Sequence, residues 1–390
     1  MILIRRSLLK MGIAGLIAPQ IAFAKSTQDA SRSFDAWREK FESSIQPRMH
    51  AAHVAGTSVA IMSRDRGTLY SSSFGYADIG KGRKLTVDTP MHLASISKLF
   101  TATALVQLFE RERLDLDSDV NEYIDFAVRN PHRLHDPITP RHLLTHTSSI
   151  SDEGHGDPSY EGDPRQSLDS FLKNYLVKGG DAYTPEGSYS RARPGQKWDY
   201  CNVAMALAGY VIECVSGQPF ASYVERNVLE PLGIWNAHWY LRQFDPDVLA
   251  KPYDYQNGDL VELPQQGYPD VPAGMLRCSV ADLSKAVRAM IGGENSRDIL
   301  SPRAPREMLR RQVKPTVYPY QGLGWILEGV NERQFVGHSG RDLGAANILI
   351  LTEDLSHGVF VLINSELDED GEAFRSALVE ELLVGASLAV

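Results

Sequence analysis

Ser95 and Lys98 stand three residues apart in His92-Leu93-Ala94-Ser95-Ile96-Ser97-Lys98-Leu99-Phe100, at the mouth of an apolar helical run. That spacing on a helix puts a hydroxyl and an amine one turn apart on the same face. A serine hydroxyl becomes a nucleophile when a nearby base takes its proton. An amine held in a dry cleft can be that base, because burial disfavours the ammonium form. The chemistry so assembled is acyl transfer through a serine ester. The same spacing recurs at Ser7–Lys10 and Ser170–Lys173, so the pair takes its weight from its company.

Two distant segments supply that company. Pro194-Gly195-Gln196-Lys197-Trp198-Asp199-Tyr200-Cys201-Asn202 ends a polar loop just ahead of an apolar helical run over Val203–Val215. A phenol such as Tyr200 can shuttle protons beside a lysine, and the Asn202 amide can hold a substrate amide carbonyl. Tyr255-Gln256-Asn257-Gly258 repeats the Tyr-x-Asn spacing, but there Asn-Gly marks a tight turn. The second segment, Val336-Gly337-His338-Ser339-Gly340-Arg341, closes a strand run. Its small residues let a substrate backbone lie alongside, with amides facing a developing oxyanion.

Rival chemistries find less support. His142 and His146 have the i, i+4 spacing that can bind zinc, but Leu143 takes the place of the required glutamate. No Gly-x-Ser-x-Gly string is present for an α/β-hydrolase elbow. Cys201, Cys214 and Cys278 lie far from any C-x-x-C spacing and read as small buried apolar residues. No metal and no other cofactor is expected.

The elements that must position these groups follow from patterning. Phe34–Ile45 is helical, Gly56–Met62 and Thr68–Tyr76 form a hairpin around a polar turn, and Ser97–Phe109 is an apolar helix. Gly322–Leu327, Gln334–Gly337, Ala345–Leu351 and Gly358–Ile363 read as short strands, and Glu372–Val384 as a closing helix. Residues 151–194 are a loop-rich excursion of the kind that borders a cleft. The expected class is α/β of the α+β type. It has an antiparallel sheet from both chain ends flanked by helices, with an inserted, mainly helical domain. The expected boundaries are 25–110 and 293–390 for the sheet domain and 111–292 for the insert.

The chain has 390 residues, a net charge of −9 and no Lys/Arg-rich stripe, which argues against nucleic acid as a partner. No segment beyond the N-terminus is apolar enough to span a bilayer. Residues 1–24 read as a bacterial export signal: Arg5-Arg6-Ser7-Leu8-Leu9-Lys10, the apolar run Met11–Ile17, and Ala22-Phe23-Ala24. The paired arginines resemble a twin-arginine signal. A periplasmic or secreted enzyme acting on a small molecule or peptide is expected.

Ser-x-x-Lys, then Tyr-x-Asn, then His-x-Gly, in this order, resembles the serine β-lactamase and penicillin-binding superfamily, in particular its class C β-lactamase and D-Ala-D-Ala carboxypeptidase branch. Thr86–Pro90, Ile138–Ser148, Pro272–Leu276 and Gly322–Trp325 resemble further landmarks. The resemblance implies that Ser95 is acylated, Lys98 activates it and Tyr200 is the general base. It implies that Asn202 holds the substrate, His338 and Gly340 form the third motif, and the amides of Ser95 and Arg341 make the oxyanion hole. Some residues depart from the pattern. His338 replaces a lysine favoured in efficient lactamases, Arg341 a small hydroxyl residue, Ser149 a glycine and Cys201 a Ser or Ala. The first two favour a D-amino-acid peptidase, amidase or esterase over a β-lactamase, and Arg341 is expected to pair with an anionic part of the substrate. A non-hydrolytic penicillin-binding or ligand-sensing module is the alternative of another class.

Overall fold

The computed structural model describes residues 18–156 and 159–389, with side chains from residue 32 onward. The paired arginines and the Met11–Ile17 run of the expected export signal lie outside the described residues.

One seven-stranded antiparallel sheet organises the fold. Its strands are β1 (Gly56–Ser63), β2 (Gly67–Asp78), β3 (Arg83–Lys84), β4 (Ile326–Val330), β5 (Arg333–Asp342), β6 (Ala345–Leu351) and β7 (His357–Ile363), in the order β4-β5-β6-β7-β1-β2-β3. The seam between chain ends is the β1–β7 ladder, which runs from Thr57 opposite Ile363 to Ser63 opposite His357. The expected sheet from both ends is therefore present. Strand β5 is longer than its composition suggests, because β6 pairs it through Asp342 opposite Ala345. His338, Ser339 and Gly340 thus lie within a strand. Conversely, Gly322–Gly324 is not strand: Gly324 takes φ +80° and donates to Leu144 O.

Alternation explains why the central strands read as unbroken apolar runs. Val59, Ile61, Ile348, Ile350, Val359, Val361 and Ile363 point to one face and meet Phe41, Ile45 and Met49 of helix α1 (Ala18–Ala51). Leu378, Val379 and Leu382 of the last helix, Glu369–Leu388, complete that layer. Ala60, Met62, Leu349, Leu351, Phe360 and Leu362 point the other way, into the larger core. A sheet covered on both faces needs no polar side.

That larger core holds helices α2 (Ser97–Glu112), α3 (Asn202–Ser216) and α4 (Val280–Met290), and the last helix is α5. Helix α2 packs against α3, whereas α4 lies on β1, β2 and β7. The 3-10 turn Ala94–Ile96 at the head of α2 touches β5 and β6. The mouth of α2 therefore sits where the helical layer meets the sheet. Among the described residues no single helix is long and apolar enough to cross a membrane.

Candidate active site

Ser95 lies in the 3-10 turn and Lys98 one turn on, in the first turn of α2. Ala94, just before the serine, holds φ +48°, a strained conformation for a side-chain-bearing residue. Lys98 is fully buried. Its Nζ donates to Ser95 Oγ at 3.0 Å, Asn202 Oδ1 at 2.8 Å and Ala273 O at 2.7 Å. Burial pushes its pKa down to about 8, against the opposing pull of the Asp270 and Asp152 carboxylates.

Tyr200 and Asn202 flank the N-terminus of α3. Asp152 anchors that terminus: it accepts from the backbone of Asn202 at 2.6 Å and of Val203 at 3.1 Å, and from the Cys201 thiol at 3.0 Å. Cys201 Sγ in turn accepts from Ala204 N at 3.3 Å, so the thiol is a helix cap. Burial, then the neighbouring Asp152 charge, pushes the Cys201 pKa well up. It stays a thiol, and a cysteine nucleophile has no footing here.

The Tyr200 ring stacks on His146, with centroids 4.5 Å apart, and lies 4.9 Å from Lys98 Nζ. Tyr200 hydrogen-bonds Ser95, which pulls its pKa down, but burial dominates and raises it. His146 belongs to this site and not to a zinc pair. The helix Pro140–Leu144 ends before it, and it turns to φ +53°. Its Nδ1 accepts from Cys201 N at 3.2 Å, whereas His142 is spent in a capping box with Thr139.

The third segment arrives on β5. Gly340 is the residue that lets it approach: a Cβ there would lie 2.1 Å from Leu93 O and 3.2 Å from Ser95 N. His338 is buried and bonds Ser339 O through Nδ1 at 2.6 Å. A carbonyl can only accept, so Nδ1 carries the proton. Burial, then the Lys98 charge, pushes its pKa down to about 3, and it is a neutral imidazole at physiological pH. Arg341 borders the cavity and already has partners. Its guanidinium donates to Glu372 Oε1 at 2.8 Å and to Leu367 O at 2.9 Å, so an anionic part of a substrate would share it with Glu372.

A cavity of about 230 Å³ opens beside Ser95, bordered by Asn202, Tyr268, Asp270, Ala273, Arg341 and Asp342 among others. The three motifs singled out in the sequence thus meet at one point. Sequence reading missed Asp152 and Asp270. Asp152 carried no signal, being 50 residues from the amide it caps.

With this geometry in view, comparison with known proteins is informative. The Beta-lactamase family model matches residues 41–383. The chain belongs to that family. Protein flp of Staphylococcus aureus (strain MRSA252) is 22% identical over 328 residues, which cover 84% of this chain and 63% of that protein. The chain thus spans less than two thirds of that relative. The octameric penicillin-binding protein homologue from Pyrococcus abyssi is 27% identical, with a TM-score of 0.68, over 89% of this chain and 77% of that one. The D-amino acid amidase from Ochrobactrum anthropi SV3 shares the fold at a TM-score of 0.70 and 21% identity, over 92% of this chain and 98% of that one.

Proposed function

We propose that this β-lactamase-family chain is an exported serine hydrolase that cleaves a small amide or ester through a Ser95 acyl-enzyme. The observation that carries the reading is the set of contacts around Lys98. Asn202 Oδ1 and Ala273 O can only accept, so each must receive an N–H. Ser95 is the remaining partner, and it alone can donate. When Lys98 loses a proton, its lone pair therefore faces the Ser95 hydroxyl.

In acylation Ser95 Oγ bonds the substrate carbonyl carbon and its proton passes to Lys98. The new oxyanion faces the amides of Ser95 and Arg341. Tyr200, neutral because its pKa is raised, donates its proton as the leaving amine or alcohol departs, and Lys98 restores it. Water then attacks the ester, its proton enters the same Lys98–Tyr200 pair, and Ser95 leaves with a proton regained. The acid product carries the water oxygen. This assigns the base's role to Lys98 and the acid's to Tyr200, whereas the family resemblance alone gave the base's role to Tyr200.

The charge pattern favours amidase, peptidase or esterase chemistry over β-lactam hydrolysis. A β-lactam antibiotic presents a carboxylate. Here the third motif offers a neutral His338, and the Arg341 guanidinium beside the cavity is shared with Glu372. The fold shared with a D-amino acid amidase agrees with that preference. The test is a panel of chromogenic esters, D-amino-acid amides, D-Ala-D-Ala peptides and a chromogenic cephalosporin. Ester or amide turnover that vanishes in Ser95→Ala, with unchanged folding, is expected. Full turnover in Ser95→Ala contradicts the reading, and labelling of Ser95 without turnover assigns the chain to the sensing class.

A further inference from the structure

One buried histidine holds three consecutive residues of the second motif, each by a different part of itself. The His146 carbonyl accepts from Asp199 N at 2.7 Å. Its ring face meets the Tyr200 ring at a centroid distance of 4.5 Å and an interplanar angle of 29°. Its Nδ1 accepts from Cys201 N at 3.2 Å. A backbone N–H can only donate, so Nδ1 carries the lone pair and the ring proton sits on Nε2. An imidazolium would have no acceptor for the buried Cys201 amide. Burial, then the Lys98 and His338 charges, keeps the His146 pKa well below the ordinary imidazole value, and the required neutral form persists.

The backbone is bent to make this grip. His146 takes φ +53°, uncommon for a residue with a side chain. Such strain persists where the surroundings fix it and gathers at functional sites. The platform is itself braced. The Trp198 ring stands edge-on to His146 at 6.1 Å and 76°, and stacks on Tyr318 at 4.0 Å and 8°. Trp198 Nε1 donates to Gln321 Oε1 at 2.7 Å. The Tyr200 ring is thus backed by a fixed surface on the side of His146, while its hydroxyl meets Ser95.

We propose that His146 is a positioning residue that sets the Tyr200 phenol for proton transfer to the leaving group, with its ring as platform and its Nδ1 as anchor. This deepens the serine-hydrolase reading and rests on it. A displacement of about 1 Å at a reacting group can cost a hundredfold in rate. His146 touches neither Ser95 Oγ nor Lys98 Nζ by hydrogen bond, so its effect runs through Tyr200. The loss on altering it therefore follows how much the leaving group needs a proton.

The probes are phenyl butyrate and p-nitrophenyl butyrate, which share an acyl group. p-Nitrophenolate departs readily as an anion, whereas phenolate, a stronger base, gains more from an acid. kcat/KM covers the acylation step, where Tyr200 meets the leaving group. His146→Asn keeps an acceptor and suits a positive φ but removes the ring. His146→Phe keeps a ring and removes the acceptor. In both, kcat/KM should fall about tenfold further for the phenyl ester than for the p-nitrophenyl ester. In a Tyr200→Phe background the same substitutions should leave the ratio of the two values unchanged, because no phenol remains to be placed. Equal losses on the two esters overturn the proposal, and so does a full effect in the Tyr200→Phe background. His146→Asn retains the contacts to Asp199 and Cys201 and carries the test if His146→Phe does not fold; failure of both to fold makes His146 structural and overturns the proposal. Failure of the hydrolase reading looks different, because the unaltered protein would then turn over neither ester in a Ser95-dependent way.

Discussion

A lysine that donates to two carbonyl oxygens and one hydroxyl can act as a base in only one direction. That is what ties the Lys98 amine to Ser95, and it makes a pH prediction. The neutral amine is the active form, so kcat/KM should rise with pH along a limb centred near about 8. Asp270 holds the Lys98 pKa up, so Asp270→Asn should move the limb to lower pH on a neutral ester substrate. A limb above pH 10 would instead identify the Tyr200 phenolate as the base. Ser95, Lys98, Tyr200, Asn202, His338 and Gly340 were all legible in the sequence, because motif order and residue chemistry are local properties. The state of Arg341 was not legible. Its partner Glu372 lies 31 residues on, in α5, and nothing in either segment announces the pairing.

Helix α3 and the residues leading into it deliver Tyr200 and Asn202, and the N-terminus of the helix is fixed from outside it. Asp152 satisfies two of its first backbone N–H groups and meets the positive end of its dipole. Asp152→Ala should lower stability by about 1–2 kcal/mol in urea unfolding and depress kcat, since Tyr200 and Asn202 lose their anchor. Cys201→Ser should be close to neutral in both, because a hydroxyl can accept from Ala204 N and donate to Asp152 as the thiol does. A collapse of activity in Cys201→Ser would contradict the capping role. The elements themselves were largely readable: the first hairpin, α2, α3 and the closing helix fall where periodicity puts them. The Asn257-Gly258 turn does join a small hairpin, Tyr253–Gln256 with Asp259–Glu262. Strand β5 was cut short in the sequence because His-Ser-Gly has little strand preference of its own and is held extended by pairing with β6. Ser149 shows the converse. It sits where the family resemblance implies glycine, it takes φ +66°, and Asn130 Nδ2 donates to its Oγ at 2.9 Å.

On the scale of the whole molecule, the active site is a junction between layers. Two layers meet at the Ala94–Ile96 turn, and the groups that close the junction are buried imidazoles. His338 and His146 are both neutral because burial lowers their pKa, His338 to about 3. In the unfolded chain these groups titrate near 6.5, so the unfolded state binds protons first as pH falls. The stability their neutral forms confer is complete above about pH 6.5 and is lost as pH falls toward 3. Melting temperature should therefore drop through that window, and His338→Gln should flatten the drop. An acid profile unchanged by His338→Gln would show that this imidazole is not a source of the acid sensitivity. Charge at this scale also bears on partners, since the cavity wall is acidic within an acidic protein of net charge −9.

The most direct test is intact-mass spectrometry of the protein quenched at short times with a slowly hydrolysed amino-acid ester. Ser95 chemistry predicts a single acyl adduct that maps to the Ser95 peptide, decays at the rate of product release, and is absent in Ser95→Ala. Turnover with no adduct at any time, or an adduct on another residue that forms equally in Ser95→Ala, would contradict it.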